Sequence, residues 1–366
     1  MTSKIRGLLI HVLGIGLAVG LLYLALRNVD FGGMWEALET ANYWWLIPIA
    51  GITLFAHFLR AWRWRMFLDA LPDSESSAGG KRVDLKTAFY AVMIGYLLNM
   101  VVPRLGEVAR TANLASRSGL RFSSVFGTVV VERLLDFATL LLILLAVAFV
   151  LIGSPAAEAM VFEPLQARLA DLSLTDILAM AAALFAALAA FMWLRRRLAS
   201  RADGDGGLLS KLAPMLRSFR LGLTTLFRSR HRLGIAVTSV GIWFSYWLML
   251  YLPLHMLHMT EEFGLGVSAG LVLLGIGSIG FVLPAPGGIG TYHYFVIQTF
   301  VQIYGLPYDV AAGFAVLTHT AQILLLTIVG FACLLGQGSS FGSILKAARD
   351  VDGNSADDPI LNDRTE

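Results

Sequence analysis

The chain has 366 residues, 57% of them hydrophobic and 14% charged, with a formal net charge of +3. A water-soluble domain of this length could not cover its surface with so few charges; between Phe263 and Leu345 the only charged residue is Asp309. The composition requires a bilayer, excludes a soluble enzyme or nucleic-acid-binding domain, and predicts an all-α integral membrane protein.

In chain order, the first apolar run, 8–26, lacks a signal-peptidase-like site after it and reads as a retained span. A second span covers 43–62, followed by the polar loop Asp73–Gly80. The stretch 86–102 is apolar but ends at Val102-Pro103-Arg104-Leu105-Gly106-Glu107. Spans at 123–151 and 174–194 come next. Residues 195–232 then carry ten Lys/Arg against Asp203 and Asp205, with Leu212, Leu216, Phe219, Leu223 and Leu226 apolar. That pattern fits a helix lying on an anionic membrane surface, and equally a solvated basic loop. A span at 234–255 leads to 265–304, which is broken at Leu283-Pro284-Ala285-Pro286-Gly287-Gly288-Ile289-Gly290. The last span, 309–335, contains the lone cysteine, Cys333, so no intrachain disulfide forms. Residues 1–335 therefore read as one membrane domain and 336–366 as a disordered tail, Gly/Ser-rich and then acidic.

Loop charges orient the array. Residues 60–86 carry six Lys/Arg and 103–122 carry four, so both flank the cytoplasm with 195–232. Lys4 and Arg6, then Lys346 and Arg349, put both termini on that side, and a cell membrane is the expected location. With both its flanks inside, 86–102 cannot cross once; it enters and returns. By the same reasoning 265–304 dips in from outside, unless 265–283 and 291–304 are separate spans, the second of them short. The prediction is about six full transmembrane helices plus two Pro/Gly-broken re-entrant hairpins of opposite sidedness. Both breaks read apolar-Pro-x-x-Gly, which removes an amide donor and frees the backbone. In lipid such backbone persists only where it is buried in protein or lines a watery cavity, and paired interruptions point to a transporter's binding site.

Ionisable residues within hydrocarbon are the candidate site, because each costs roughly 2.5–3.5 kcal/mol at a span's centre on insertion scales. Glu132, Arg133 and Asp136 share one helix segment, followed by twenty-one uncharged residues. They form either a self-neutralised brace or a counter-ion set. Around the first break stand Asn99, Arg104, Glu107 and Arg110; Glu107 and Arg110 are spaced to pair, leaving Arg104 for a phosphate, a buried carboxylate or the headgroup boundary. His57, Arg60, Arg63 and Arg65, interleaved with Trp62 and Trp64, read as an interfacial anchor, or for His57 and Arg60 as part of a deeper polar face. At the second break Pro284, Pro286, Gly287, Gly288 and Gly290 leave amides that attract anions. His293, His319, Thr318 and Gln322 lie nearby in sequence or in the last span. No metal-ligand spacing, phosphate-binding loop, nucleophile elbow or dinucleotide fingerprint occurs, so neither cofactor nor metal is expected, and not an enzyme.

Four motifs in this order, Arg60-Ala-Trp-Arg63-Trp, Asn99-x-x-Val-Pro103-Arg104-x-Gly106-Glu107, Glu132-Arg133-x-x-Asp136 and Pro284-x-Pro286-Gly287-Gly288-Ile-Gly290, give the chain a resemblance over roughly 8–335. It resembles the transmembrane, flippase-like domain of lysylphosphatidylglycerol synthases. The resemblance implies movement of a phospholipid or polyprenyl-phosphate-linked lipid between leaflets. In full-length synthases a soluble aminoacyl-transferase domain follows, and the expectation here is the translocation half alone. The alternative is a non-transporting lipid-binding subunit that regulates a partner enzyme. Expected partners are an anionic or polyprenyl-phosphate-linked lipid and the membrane, with a second copy of the chain or a lipid-modifying enzyme as protein partner, and no nucleic acid.

Overall fold

A computed structural model describes residues 2–71, 83–101, 105–152 and 231–338, with isolated positions elsewhere. Nearly all of the predicted span 174–194, the linker 195–232 but for its last two residues, nearly all of the tail, and Pro103 and Arg104 lie outside the described residues. What is described is helical: α1 (Thr2–Leu26), α2 (Phe31–Glu39), α3 (Leu46–Leu68), α4 (Leu85–Val101), α5 (Leu105–Ser118), α6 (Phe122–Leu151), α7 (Arg232–Met256), α8 (Met259–Phe263), α9 (Val267–Val282), α10 (Thr291–Gln298) and α11 (Tyr308–Gly336). Among the described residues four helical stretches are long and apolar enough to span a bilayer, and the pair α1–α2, bent by 83°, is a fifth when counted as one broken span. The chain is an all-α integral membrane protein.

Contacts fix the directions. Near the end of α3, Trp64 Nε1 donates to Thr128 Oγ1 at 2.9 Å, and Arg63 donates to Ser239 Oγ at 3.0 Å. The C-terminal end of α3 therefore meets the N-terminal ends of α6 and α7. At the other end, Asn42 N donates to the Met256 carbonyl at 2.8 Å, so α7 finishes where α3 begins. Arg65, Arg117, Arg121 and Arg232 all lie at helix ends on the first of these faces, called here the basic face.

The two broken segments form helical hairpins. Asp84 caps α4, accepting from the Thr87 amide at 3.0 Å. Its carboxyl sits below the usual carboxylate range because the Thr87 hydroxyl, and next the Thr87 amide, hydrogen-bond the ionised form. α4 runs antiparallel to α5, and the crossing is tight: a Cβ on Gly106 would overlap the Gly95 carbonyl oxygen, while the Gly106 amide donates to Asn99 Oδ1 at 2.7 Å. Both ends of this hairpin open on the basic face. The sequence placed entry and return within 86–102; instead that stretch is one uninterrupted limb, and α5 is the return. α5 has no hydropathy signature because it carries polar residues, and two of these, Arg110 and Asn113, point into protein.

The second hairpin is α9 and α10, the latter extended by a π turn, Thr299–Ile303. A Cβ on Gly280 would lie 3.0 Å from the Tyr292 backbone, and one on Gly277 3.4 Å from Val296, so the limbs are antiparallel. Trp247 Nε1, in the second half of α7, donates to the Val267 carbonyl at 3.2 Å, and α9 follows the end of α7 through the short α8, so the base of this hairpin lies towards the face opposite the basic one. The region 265–304 is re-entrant, and its limbs are too short for two spans.

α11 crosses fully. Its start packs against Met34 and Leu38 of α2, and its end against Leu97 and Tyr90 of α4. One apolar core, with Leu273, Val296, Phe300 and Phe314, surrounds the second hairpin; another, with Trp64, Ala88, Leu114 and Val125, surrounds the first. The hairpins meet at their tips: a Cβ on Gly287 would lie 2.9 Å from Met100 Sδ.

Candidate functional site

Beside the first hairpin, α3, α5 and α6 bury a charge network. Arg60, Arg63 and Arg110 are 3%, 0% and 3% exposed and Glu132 is 0% exposed, deep enough that none could stand alone. Arg60 Nη1 donates to Glu132 Oε1 and, at 2.9 Å, to Asp136 Oδ2, while its Nη2 donates to Tyr246 Oη at 3.0 Å. Arg63 donates to Asp136 Oδ1 at 2.6 Å and to Ser239. Arg110 donates to Glu132 Oε2 at 3.1 Å, with its guanidinium 4.8 Å from the centre of the Trp64 ring. Each of these two carboxylates thus accepts from two arginines, Glu132 from α3 and α5 and Asp136 from α3 alone, an arrangement that offsets desolvation through several charge-assisted bonds.

This corrects three sequence readings. Arg60 and Arg63 are not an interfacial anchor; the helix turns them inward, one turn apart, onto α6. Glu107 does not pair with Arg110. It lies 3.6 Å from Arg133 and accepts from Asn99 Nδ2 at 3.5 Å. Glu132, Arg133 and Asp136 are not self-neutralised either: Arg133 faces outward, with its side chain 44% exposed and 3.8 Å from Asp136, and the charges that hold Glu132 come from α3 and α5. Among the described residues the network holds four arginines and three carboxylates, an excess of one positive charge. Its open side is a small cleft lined by Tyr96, Asn99, Gly106, Glu107, Arg110 and Arg133. His57 is buried against the Tyr96 ring, 4.4 Å between centroids.

The second cluster is the tip of the α9–α10 hairpin. Gly287, Gly288 and Gly290 have φ of 57°, 77° and 81°, the left-handed region open to glycine, which is why the segment carries them. Pro286 starts the turn Pro286–Gly288; Pro284 is exposed, but its carbonyl lies against Gly14 of α1. A Cβ on Gly290 would overlap the Ala18 carbonyl oxygen. Around the tip, His319 Nε2 donates to the Gly287 carbonyl at 3.0 Å, the His293 and His319 ring centroids are 4.9 Å apart, and Tyr292 Oη meets Thr318 Oγ1 at 3.1 Å. Gln322 is half-buried one turn further along α11.

Sequence reading missed Tyr246 and Ser239, because α7 reads as a plain span; the hydroxyls of Thr238, Ser239, Ser245 and Tyr246 were the available signal. It also missed α1 as the wall of the second tip, where Gly14-x-x-x-Ala18 has the small-residue spacing of close helix packing.

Two helical hairpins inserted from opposite faces, tip to tip and flanked by crossing helices, define a polytopic membrane protein with a polar seam within its span. The sequence profile of the lysylphosphatidylglycerol synthase TM region matches residues 11–330, and the chain belongs to that family. Its function therefore concerns membrane lipids. No curated protein and no solved structure matches the chain.

Proposed function

We propose that the protein moves an anionic lipid, a phospholipid or a polyprenyl-phosphate-linked lipid, between leaflets, with the basic face cytoplasmic and no chemical change to the lipid. The observation that carries this reading is the contact of the two hairpin tips, Met100 against Gly287, beside a buried network with one arginine in excess. Broken backbone at that depth needs polar company that acyl chains do not give. The arginines suit a phosphate, which accepts paired guanidinium bonds. In this reading Arg133, held by Glu107 at the mouth of the cleft, receives the phosphate and passes it towards Arg110 and Asn99. Opposed hairpins supply a means of alternating exposure, since each covers the seam from its own face.

The test is reconstitution of the purified full-length protein into liposomes containing a trace of headgroup-labelled anionic phospholipid or polyprenyl phosphate. A membrane-impermeant quencher should reach the inner-leaflet pool only when active protein is present. Glu107→Gln and Arg110→Ala should slow that exchange. Binding of the lipid without exchange would refute translocation and leave the lipid-binding regulatory subunit.

A further inference from the structure

The tip histidines have no task in that reading, and their surroundings are unusual. His319 is 2% exposed and eleven residues from the outer end of α11, about 17 Å at 1.5 Å per residue. Its Nε2 faces a carbonyl oxygen, which only accepts, so Nε2 carries a hydrogen, and in the neutral ring Nδ1 holds the lone pair. That Nδ1 is buried without a partner among the described residues. His293 is committed differently: its Nδ1 faces the Gly290 amide, 3.4 Å away, and so accepts. His293 Nδ1 is thus engaged as an acceptor, and the ring nitrogen left without a partner is His319 Nδ1.

The elements packed around the pair supply nothing to balance a proton there. α9 has no ionisable residue, and the described side chains of α1 contribute only Tyr23. α4 has Lys86 and Tyr90 towards its base, with Tyr96 turned to His57. α10 offers Tyr292, bonded to Thr318, and Tyr294; α11 has Tyr308 and Asp309 at its outer end, the latter against Gly33. Phe281 closes the cluster, 5.9 Å from His319 and 5.3 Å from Tyr292 between ring centroids. Among the described residues no carboxylate faces the pair.

We propose that His319 is a proton-binding site that couples proton uptake to opening of the second hairpin. A proton on Nδ1 creates an imidazolium with a donor and no acceptor in an apolar enclosure beside a second imidazole. The closed tip disfavours that charge; a tip drawn away from Met100 and α11 admits water or an anionic headgroup to meet it. Proton binding and opening are therefore linked. The sign follows: the closed state holds the neutral ring, the open state the charged one, so lowering pH shifts the population towards the open state. The lone pair and the hairpin lock sit on opposite atoms of one ring, which lets His319 latch the Gly287 carbonyl and sense protons at once. This rests on the translocase reading for its purpose, but not for its test.

The test measures the tip itself. Spin labels at Met100→Cys and Ile289→Cys, in the otherwise full-length protein with Cys333→Ser, report the distance between the two hairpin tips in liposomes. Between pH 7.5 and 5.5 the fraction of the longer-distance population should rise several-fold. His319→Gln keeps an N–H for the Gly287 carbonyl and cannot take a proton, so it should keep the short distance at both pH values while melting like its parent. His293→Asn keeps the acceptor for Gly290 and should retain the pH response. A tip distance independent of pH in the labelled parent overturns the proposal, and so does a response that survives in His319→Gln. A pH-dependent distance lost in His319→Gln, in a protein that shows no lipid exchange, would uphold the proton site and overturn the translocase reading alone.

Discussion

Removing Glu132 should damage the protein more than removing Arg110, one of the two arginines that donate to it. Glu132 is 0% exposed and takes hydrogen bonds from Arg60 and Arg110, with Arg63 3.7 Å away. The buried core of the network comprises Arg60, Arg63 and Arg110 with Glu132 and Asp136, an excess of one positive charge. Glu132→Leu raises that excess to two and strands Arg110, whose carboxylate partner is Glu132; breaking a buried pair in this way costs about 3–5 kcal/mol. Arg110→Leu brings the core to neutrality and loses one charge-assisted bond and the contact with Trp64, about 1.5–3 kcal/mol. The double variant returns to an excess of one and should fall between the two singles, well short of their sum. At about 2 °C per kcal/mol for a chain of this size, Glu132→Leu should lower the melting temperature in mild detergent by roughly 6–10 °C, provided the variants are compared at one heating rate. Fluorescence-detected melting of the four proteins completes the cycle. Additive losses, or a Glu132→Leu protein melting within about 2 °C of its parent, would show that this charge network is not held together as the distances imply.

Further outcomes follow from individual contacts. Gly290→Ala should sharply reduce the monodisperse fraction on size exclusion, because its φ of 81° and the Ala18 carbonyl leave no room for a methyl group, whereas Gly16→Ala, with nothing within 4 Å, should behave as the parent. Cysteines introduced at Ser123 and Glu262 in a Cys333→Ser background should label from opposite sides of the membrane; labelling of both from one side would invalidate the assigned faces. Arg104→Ala should abolish lipid exchange with normal expression, and Arg104→Lys should rescue it incompletely because an ammonium lacks the guanidinium fork; full exchange in the alanine protein would remove Arg104 from the site.

The sequence by itself determined the membrane, the α class and which segment ends share a face. Each follows from one-dimensional quantities: the length of apolar runs, the Lys/Arg count of each loop, and breaks where Pro103 and Pro284 cannot continue a helix. Two basic flanks around 86–102 were enough to demand a return. They did not reveal that the return limb is α5, since a limb that carries polar residues has no hydropathy signature. The candidate residues were legible for a similar reason, because a charge inside hydrocarbon stands out wherever it lies.

Pairing was decided only by the tertiary structure. Glu132 reads as the neighbour of Arg133, yet its partners come from positions 60 and 110, because helix geometry turns Arg133 outward and α3 and α5 pack on the opposite side. The meeting of Met100 with Gly287, and of His319 with the Gly287 carbonyl, likewise depends on how deep each hairpin reaches. That depth is set by close glycine crossings, Gly95 with Gly106 and Gly280 with Tyr292, which fix the offset of one limb against the other. Composition and spacing report what each segment must bury; only packing decides against what.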